Sequence, residues 1–370
     1  MDPSAYERRF PNRLISACAV LGLTLVVAGA HADPNSERKD AGPRIVLPAF
    51  VVRCDTTPDQ PPLRVARPGY CVNVHGVAMA DPAADPKVPV LEPDPELRWE
   101  AFDEYWRKIH GPKIIHLDGA GDHVTQLLVR YEQQHRIPGG PTSSNAPPYP
   151  AQVDANNLLV TDPHARVKGY QRPSSDGLAQ LAFETRRDFN AFFGVLPGDK
   201  YLDKIVPDEK IFLKGFVFNI SKEFIIIPDA GVRDPIILVK TLQRGPQFSS
   251  REQFQKVWLK EHSKLVTSNS TARKLVGRYA QLHNISVPSD GAFYDPVGDQ
   301  YDVIEVLSFG NPTQLEQFLS SKHYQKIAAD DAKNTVKTEF FTAVNYVIKI
   351  DDIKEKITTI NDDSRGRGDE

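Results

Sequence analysis

The sequence predicts an α+β protein built from two ferredoxin-like (βαββαβ) units that close into one barrel within a single chain. Three observations predict it. A Phe–Trp–His pattern occurs twice, in Phe102-Asp103-Glu104-Tyr105-Trp106-Arg107-Lys108-Ile109-His110 and in Phe254-Gln255-Lys256-Val257-Trp258-Leu259-Lys260-Glu261-His262. An Arg-Tyr-x-x-x-His block follows each time, Arg130 to His135 and Arg278 to His283. The period of about 150 residues is too long for a solenoid and suits a duplicated domain. β-branched and aromatic runs also alternate with amphipathic ones in the order β-α-β-β-α-β, the split βαβ arrangement.

The second unit reads most clearly. Pro235–Leu242 is a β-branched strand, and Ser249 with Glu252 forms a capping box that opens a helix reaching His262. Leu275–Ile285 and Tyr301–Phe309 are the next strands, Leu315, Phe318 and Leu319 mark a helix face, and Phe340–Ile350 closes the unit. In the first unit Asp94 and Pro95 start a helix that runs to His110. Leu127–Ile137, Gly177–Thr185 and Lys214–Pro228 are strands, with Phe189, Phe192 and Phe193 on the core face of the second helix. Either Tyr70–Val77 or Ile45–Arg53 is its first strand, and Tyr70–Val77, nearer the helix, is favoured. Each open sheet leaves an apolar face, so the units are expected to cover each other as an intramolecular pseudo-dimer, monomeric overall; each large side chain so buried contributes about 1.5–3 kcal/mol.

Around these units the chain divides into a signal peptide (1–32), a Pro-rich extension (33–68), unit one (69–230), unit two (231–352) and a polar tail (353–370) expected to be disordered. Arg8, Arg9 and Arg13, the uncharged run Leu14–Gly29 and Ala30-His31-Ala32 describe an export signal, either cleaved or retained as an anchor; cleavage is favoured and implies a periplasmic or secreted protein without stable membrane insertion. In an oxidising compartment Cys54 and Cys71 are expected to form a disulfide. A net charge of -3 argues against a nucleic-acid partner.

These blocks resemble the EthD family of the dimeric α+β barrel superfamily. Its helix pattern F-x-x-Y-W-x-x-x-H-x-P is complete in Phe102, Tyr105, Trp106, His110 and Pro112, whereas the second copy keeps Phe254, Trp258 and His262 and carries Val257 and Lys264 at the other two positions. The resemblance spans roughly Tyr70 to Asp351. It implies a cofactor-free oxidoreductase, decarboxylase or cyclase acting on a small aromatic or polyketide-like substrate in an apolar barrel pocket. A binding protein for an apolar ligand or haem is the other reading.

Four side chains are the candidates for proton transfer. Tyr105 and His110 share a helix face with Phe102 and Trp106, and His110 gains about 0.3–1 kcal/mol at a helix C-terminus if protonated. Tyr131 and His135 lie four residues apart on a strand and so share one face. If that face lines the barrel, a Tyr–His pair with His110 at the mouth could bind and deprotonate a phenol or an activated C–H. His262, Tyr279 and His283 are the secondary set. His110, His116, Asp118 and His123 cluster in sequence, but solvated histidines are the plainer reading and no metal is expected. The sequence lacks G-x-G-x-x-G after a strand, G-x-S-x-G and H-E-x-x-H. A long connection, 138–175, is expected to cover the mouth.

Overall fold

The β-branched runs become nine antiparallel strands in a computed structural model that describes residues 43–54, 102–117, 124–137, 140–143, 173–193, 204–229, 233–291 and 293–351. The strands are β1 (Ile45–Arg53), β2 (Leu128–Arg136), β3 (Gly177–Phe183), β4 (Leu213–Phe218), β5 (Ser221–Ile227), β6 (Ile236–Arg244), β7 (Arg278–Asn284), β8 (Val303–Phe309) and β9 (Thr335–Ile350). Their order is β3-β2-β9-β6-β8-β7-β5-β1-β4. The ladder closes because β1 pairs with β3 along Ile45–Val51 and with β5 at Ile45 and Val46. The result is a mixed α/β fold around a closed eight-strand barrel, with β4 prolonging β5 along β1. Closure pairs the strands of the barrel on both sides among the described residues, with β4 left as a short edge beside β1.

Helices lie on the outside. The first is α1 (102–115), whose middle turn, Trp106–His110, is π-helical. Next come α2 (Arg186–Phe192), capped by Thr185, and α3 (Val206–Phe212), with Pro207 and two acidic residues in its first turn. The fourth, α4 (251–267), also has a π turn, Trp258–His262. The last three are α5 (Ser270–Leu275), α6 (Pro312–Leu319) and α7 (Lys322–Asn334).

Four expectations need correction. The first strand of the barrel is Ile45–Arg53, inside the segment assigned to the extension, and not Tyr70–Val77, which lies outside the described residues. All of β1 except Ala49 is buried, so this run has two apolar faces to cover, and nearness to the helix decides little because loop-closure cost rises only logarithmically with length. The run Lys214–Pro228 is two strands, broken at Asn219 and Ile220. The cap of α4 is Ser250, whose hydroxyl accepts from Gln253 N, while Ser249 bonds the Gln253 side chain. Helices α3, α5 and α7 add to the expected set, α5 taking Leu275 from the expected strand, and α1 and α4 run on past His110 and His262 to 115 and 267.

The barrel interior is filled, not a hollow apolar pocket. Val46, Phe50, Leu178, Ala182, Val239, Leu282, Ile304, Val306, Phe341 and Ala343 pack there. Nearer the opposite end, Arg130 grips Glu223 through two bonds of 3.0 and 2.6 Å, and Arg278 reaches the same carboxylate at 2.8 Å. Arg130 also contacts Glu132 at 2.9 Å. What space remains beside Glu132, Arg233, Arg278 and Asn345 is about 10 Å³, room for one water. Three outer clusters complete the core, one under α1 and α2 around Trp106 and Phe183, one under the end of α4 and α5 to α7 around Tyr279 and Phe309, and a small one under the start of α4 made by Leu242, Phe254, Trp258 and Val303.

Residues 1–42, Cys71, the middle of the 138–175 connection and the tail lie outside the described residues. Among the described residues no helix is long and apolar enough to cross a membrane.

Candidate functional site

All the candidate histidines and tyrosines lie on the outer side of the sheet, beneath the helices, rather than in the barrel lumen. Strand alternation explains this. In β2 the side chains of Tyr131, Gln133 and His135 turn to α1, and those of Arg130, Glu132 and Gln134 turn inward. Both sets are polar, so composition alone does not say which face is inside.

The π turns prepare both helices. Such turns are rare, and each frees backbone groups that an α-helix would pair. Trp106 O accepts from Gly111 N and also from Gln133 Nε2 at 3.0 Å. The second half has the same arrangement, with Ser263 N and, at 3.5 Å, Gln281 Nε2 on Trp258 O. These two glutamines were overlooked in the sequence, although each sits midway between the repeated Tyr and His.

The glutamines also fix the neighbouring rings. Because Gln133 Nε2 faces a carbonyl, its Oε1 faces His135 Nε2, 3.1 Å away, and is an acceptor for that nitrogen. His135 Nδ1 contacts Asp103 Oδ1 at 2.6 Å, and the ring stacks on Trp106 with centroids 4.1 Å apart. Burial lowers the His135 pKa, with Asp103 opposing. Gln281 treats His283 alike, at 3.0 Å, and burial pushes that pKa down to about 3. Tyr131 accepts from Gln133 Nε2 at 2.7 Å, and burial raises its pKa.

His110 is placed differently. Its Nδ1 lies 2.8 Å from Asp208 Oδ2, on α3, and its Nε2 has no hydrogen-bond partner among the described residues. Tyr105 donates to Asp208 Oδ1 at 2.8 Å, and Lys113 donates to the same oxygen. Burial would raise the Asp208 pKa, but the bonds from His110, Lys113 and Tyr105 hold it down at about 2. The Tyr105 pKa moves up through burial and its bond to Asp208. An ionised Asp208 therefore keeps the imidazole proton on Nδ1 and leaves Nε2 as the base. A cleft of about 510 Å³, lined by Pro112, Lys113, His116, Leu117, Lys204 and Ile205, flanks this group.

The second half has a denser cluster. His262 Nδ1 is 2.8 Å from Asp330 Oδ2, and its Nε2 is 3.3 Å from Glu305 Oε1. Glu305 also accepts from Trp258 Nε1 at 3.0 Å and from the Tyr279 hydroxyl, and Lys240 Nζ lies 2.6 Å from its other oxygen. Burial disfavours the charges on Lys240 and Glu305, yet Asp331 and Glu305 raise the pKa of Lys240, and Lys240 and His262 lower that of Glu305.

The lumen opens at one mouth as a cleft of about 620 Å³. Phe50, Tyr301 and Phe341 form its floor, with ring centroids 5.5 Å (Phe50–Tyr301) and 6.5 Å (Phe50–Phe341) apart. Both described ends of the long connection, Thr142–Ser143 and Pro173–Ser175, border it. Among the described residues no group of three or more His, Cys, Asp or Glu could hold a metal; Asp118 and His123 lie outside them.

Residues 94–215 match the EthD domain family. That segment contains α1, β2, β3 and α3, and so His110, Tyr131, His135 and Asp208. No curated protein matches the chain in sequence. Among solved structures, a candidate monooxygenase from Lactobacillus acidophilus NCFM is similar at 8% identity and TM-score 0.42, covering 85% of this chain and 100% of that one. An anthrone oxidase-like protein shares 8% identity at TM-score 0.41, covering 84% and 94%. A mutant chlorite dismutase from Candidatus Nitrospira defluvii shares 8% identity at TM-score 0.38, covering 82% and 92%.

Proposed function

We propose that the chain is an exported EthD-like enzyme of oxidoreductase type whose chemistry starts with proton abstraction by His110 from a small aromatic or polyketide-like substrate. The carrying observation is the His110–Asp208 pair, with Nδ1 fixed at 2.8 Å and Nε2 unengaged. His135 has both ring nitrogens against polar neighbours, and His262 has its Nε2 3.3 Å from the Glu305 carboxylate, which holds a proton on that ring, so both are poorer bases. Tyr105 would act through Asp208, and Tyr131 would donate its buried proton to the oxygen on which charge develops, while His135 holds Trp106 in place by stacking.

In this reading the barrel is an intramolecular pseudo-dimer. Unit one contributes β4/β5-β1-β3-β2 and unit two β9-β6-β8-β7, both in the ferredoxin-like order, and they meet at β2–β9 and β7–β5. The paired π turns support it. So do the ladder pairs Leu47–Leu181 and Leu238–Leu307, which hold the same place in β1–β3 and β6–β8. Export and the Cys54–Cys71 disulfide belong to the same proposal; N-terminal sequencing of the secreted protein should begin near Asp33.

The test is deuterium exchange into the activated methylene of anthrone, followed by NMR. The wild type should accelerate it, and His110→Asn should remove about 10²–10⁴-fold of that rate. An unchanged rate in His110→Asn sinks the assignment. A second reading, binding of an apolar ligand or haem, is favoured by the aromatic floor of Phe50, Tyr301 and Phe341 in the mouth cleft. A fluorescent apolar probe lost on Phe341→Ala, or a Soret band on haem addition, would support that reading.

A further inference from the structure

The two halves differ at three positions that face the same place. In ladder register from the shared first pair, Ile45–Phe183 and Ile236–Phe309, Ala49–Ala179 stands where the second half has Lys240–Glu305. Two residues further on, Gly177 stands opposite Val51 as Val303 stands opposite Leu242. The remaining parts match: Tyr131 and Tyr279, Gln133 and Gln281, Trp106 and Trp258, His110 and His262, with Asp208 and Asp330 each 2.8 Å from the imidazole Nδ1.

In the second half those donors converge on one carboxylate. Tyr279, Trp258 and Gln281 all bond Glu305 Oε1, and His262 Nε2 lies 3.3 Å from it. In the first half the carboxylate is replaced by a methyl group. Ala49, on the outer face in mid-strand, stays partly exposed where Lys240 is buried. His110 Nε2 finds no described partner, although the residue is only 4% exposed. The Tyr131 oxygen accepts from Gln133, and its own proton has no acceptor among the described residues. Gly177 completes the clearing. A Cβ there would come within 2.6 Å of the Trp106 ring, so only glycine lets that indole lie on His135, whereas Trp258 stacks on His262 with centroids 3.8 Å apart.

We propose that the position beside Ala179, where the second half has the Glu305 carboxylate, is a seat for the anionic oxygen of a flat aromatic substrate, held by Tyr131 and His110, and that Glu305 fills the equivalent seat in the second half and silences it. A phenolate, enolate or aryl carboxylate shares this chemistry. The substrate enters as its neutral acid; His110 Nε2 takes the proton and, with the Tyr131 hydroxyl, then donates to the oxygen in the place that Glu305 Oε1 holds in the second half, so little reorganisation accompanies binding. The inference rests on the pairing of halves and on the His110 reading above.

The experiment titrates the mature protein with 4-nitrophenol and follows the absorbance of bound phenolate, with 4-nitrotoluene as the oxygen-free control. The wild type should bind one equivalent, and 4-nitrotoluene at least about tenfold more weakly, the effect of losing about 1.4 kcal/mol. Ala179→Glu, which copies the second half, should abolish phenolate binding. The triple variant Lys240→Ala/Val303→Gly/Glu305→Ala, which copies the first half at all three positions, should raise the stoichiometry to two and serves as the independent arm should Ala179→Glu misfold. The proposal is overturned by a wild type that does not bind, by Ala179→Glu binding as the wild type does, or by a folded triple variant that stays at one. Anthrone exchange separates the two claims. Exchange absent with the titration as expected leaves the seat and removes the catalytic role; exchange unchanged in Ala179→Glu removes the seat and leaves His110.

Discussion

His110 meets Asp208 through Nδ1 at 2.8 Å, the same atom and the same distance at which His262 meets Asp330. In each case the carboxylate lies on the helix that precedes the last strand system of its half, α3 or α7, so the geometry is set by the fold and not by local sequence. What separates the two histidines is Nε2, which faces Glu305 in one half and has no described partner in the other.

Replacing Asp208 with Asn should therefore misdirect the His110 tautomer without emptying the site. We expect anthrone exchange to fall by about 10²-fold, with His110→Asn/Asp208→Asn no worse than His110→Asn alone, since residues acting as a unit are not additive. The carboxyl also contributes to stability. Its pKa is held near 2 against an ordinary 3.8, so its contribution is present above about pH 4 and is lost as pH falls through 2. Asp208→Asn should flatten the acid limb of the stability curve in that window, read by urea midpoints at successive pH values.

The glutamine beneath each π turn makes a second prediction. Gln133→Leu removes the donor from Trp106 O and the acceptor from His135 Nε2 at once. Leaving buried polar groups unsatisfied costs about 1–3 kcal/mol, and a urea midpoint shift of that size is expected. No loss would mean that water takes over both bonds.

How much of this was readable from the chain follows from the range of each interaction. The strands of the second half and the two Trp–His helices are carried by local period and by repetition; the strands lie close to where those patterns place them, whereas both helices run past the expected ends at His110 and His262, and the Asp94–Pro95 start lies outside the described residues. The strand β1 is marked by its two buried faces and not by closeness to the helix along the chain. Asp208 could not be paired with His110, for 98 positions separate them and no periodicity links them. Its helix was legible all the same, in the Pro and two acidic residues that open α3. The inward and outward faces of β2 were undecidable by pattern, because Arg130, Glu132 and Gln134 alternate with Tyr131, Gln133 and His135, polar against polar.

Gly177 should tolerate no side chain. A Cβ would approach both Gln134 O and the Trp106 ring at 2.6 Å, and the first of these is backbone that cannot step aside. Gly177→Ala is expected to destabilise by about 1–3 kcal/mol, the usual cost of overpacking, and to change the near-ultraviolet circular dichroism as the indole leaves His135. Unchanged dichroism would show that Trp106 does not depend on this gap.

The disulfide is tested by counting thiols. Denatured mature protein should show no free thiol without reductant, and reduction should lower stability by about 3 kcal/mol, the chain-entropy value for a short loop. Two free thiols would remove both the bond and the support it lends to export.

Lys240 gives the sharpest contrast between removing one member of an ion cluster and removing the pair. The ammonium lies 2.6 Å from Glu305 and 3.0 Å from Asp331, all three groups buried. Lys240→Met should cost about 3–5 kcal/mol, because two carboxylates are then left without their cation in a desolvated site. Lys240→Met/Glu305→Gln removes the cation with one of the anions and keeps acceptors for Tyr279 and Trp258, so it should recover most of that loss. Urea unfolding of the three proteins at neutral pH measures both steps. If the double variant were no more stable than the single one, Asp331 and not Glu305 would be the anion that Lys240 neutralises. Glu305 would then be held mainly by the donors of Tyr279, Trp258 and His262, the set whose first-half counterparts surround Ala179.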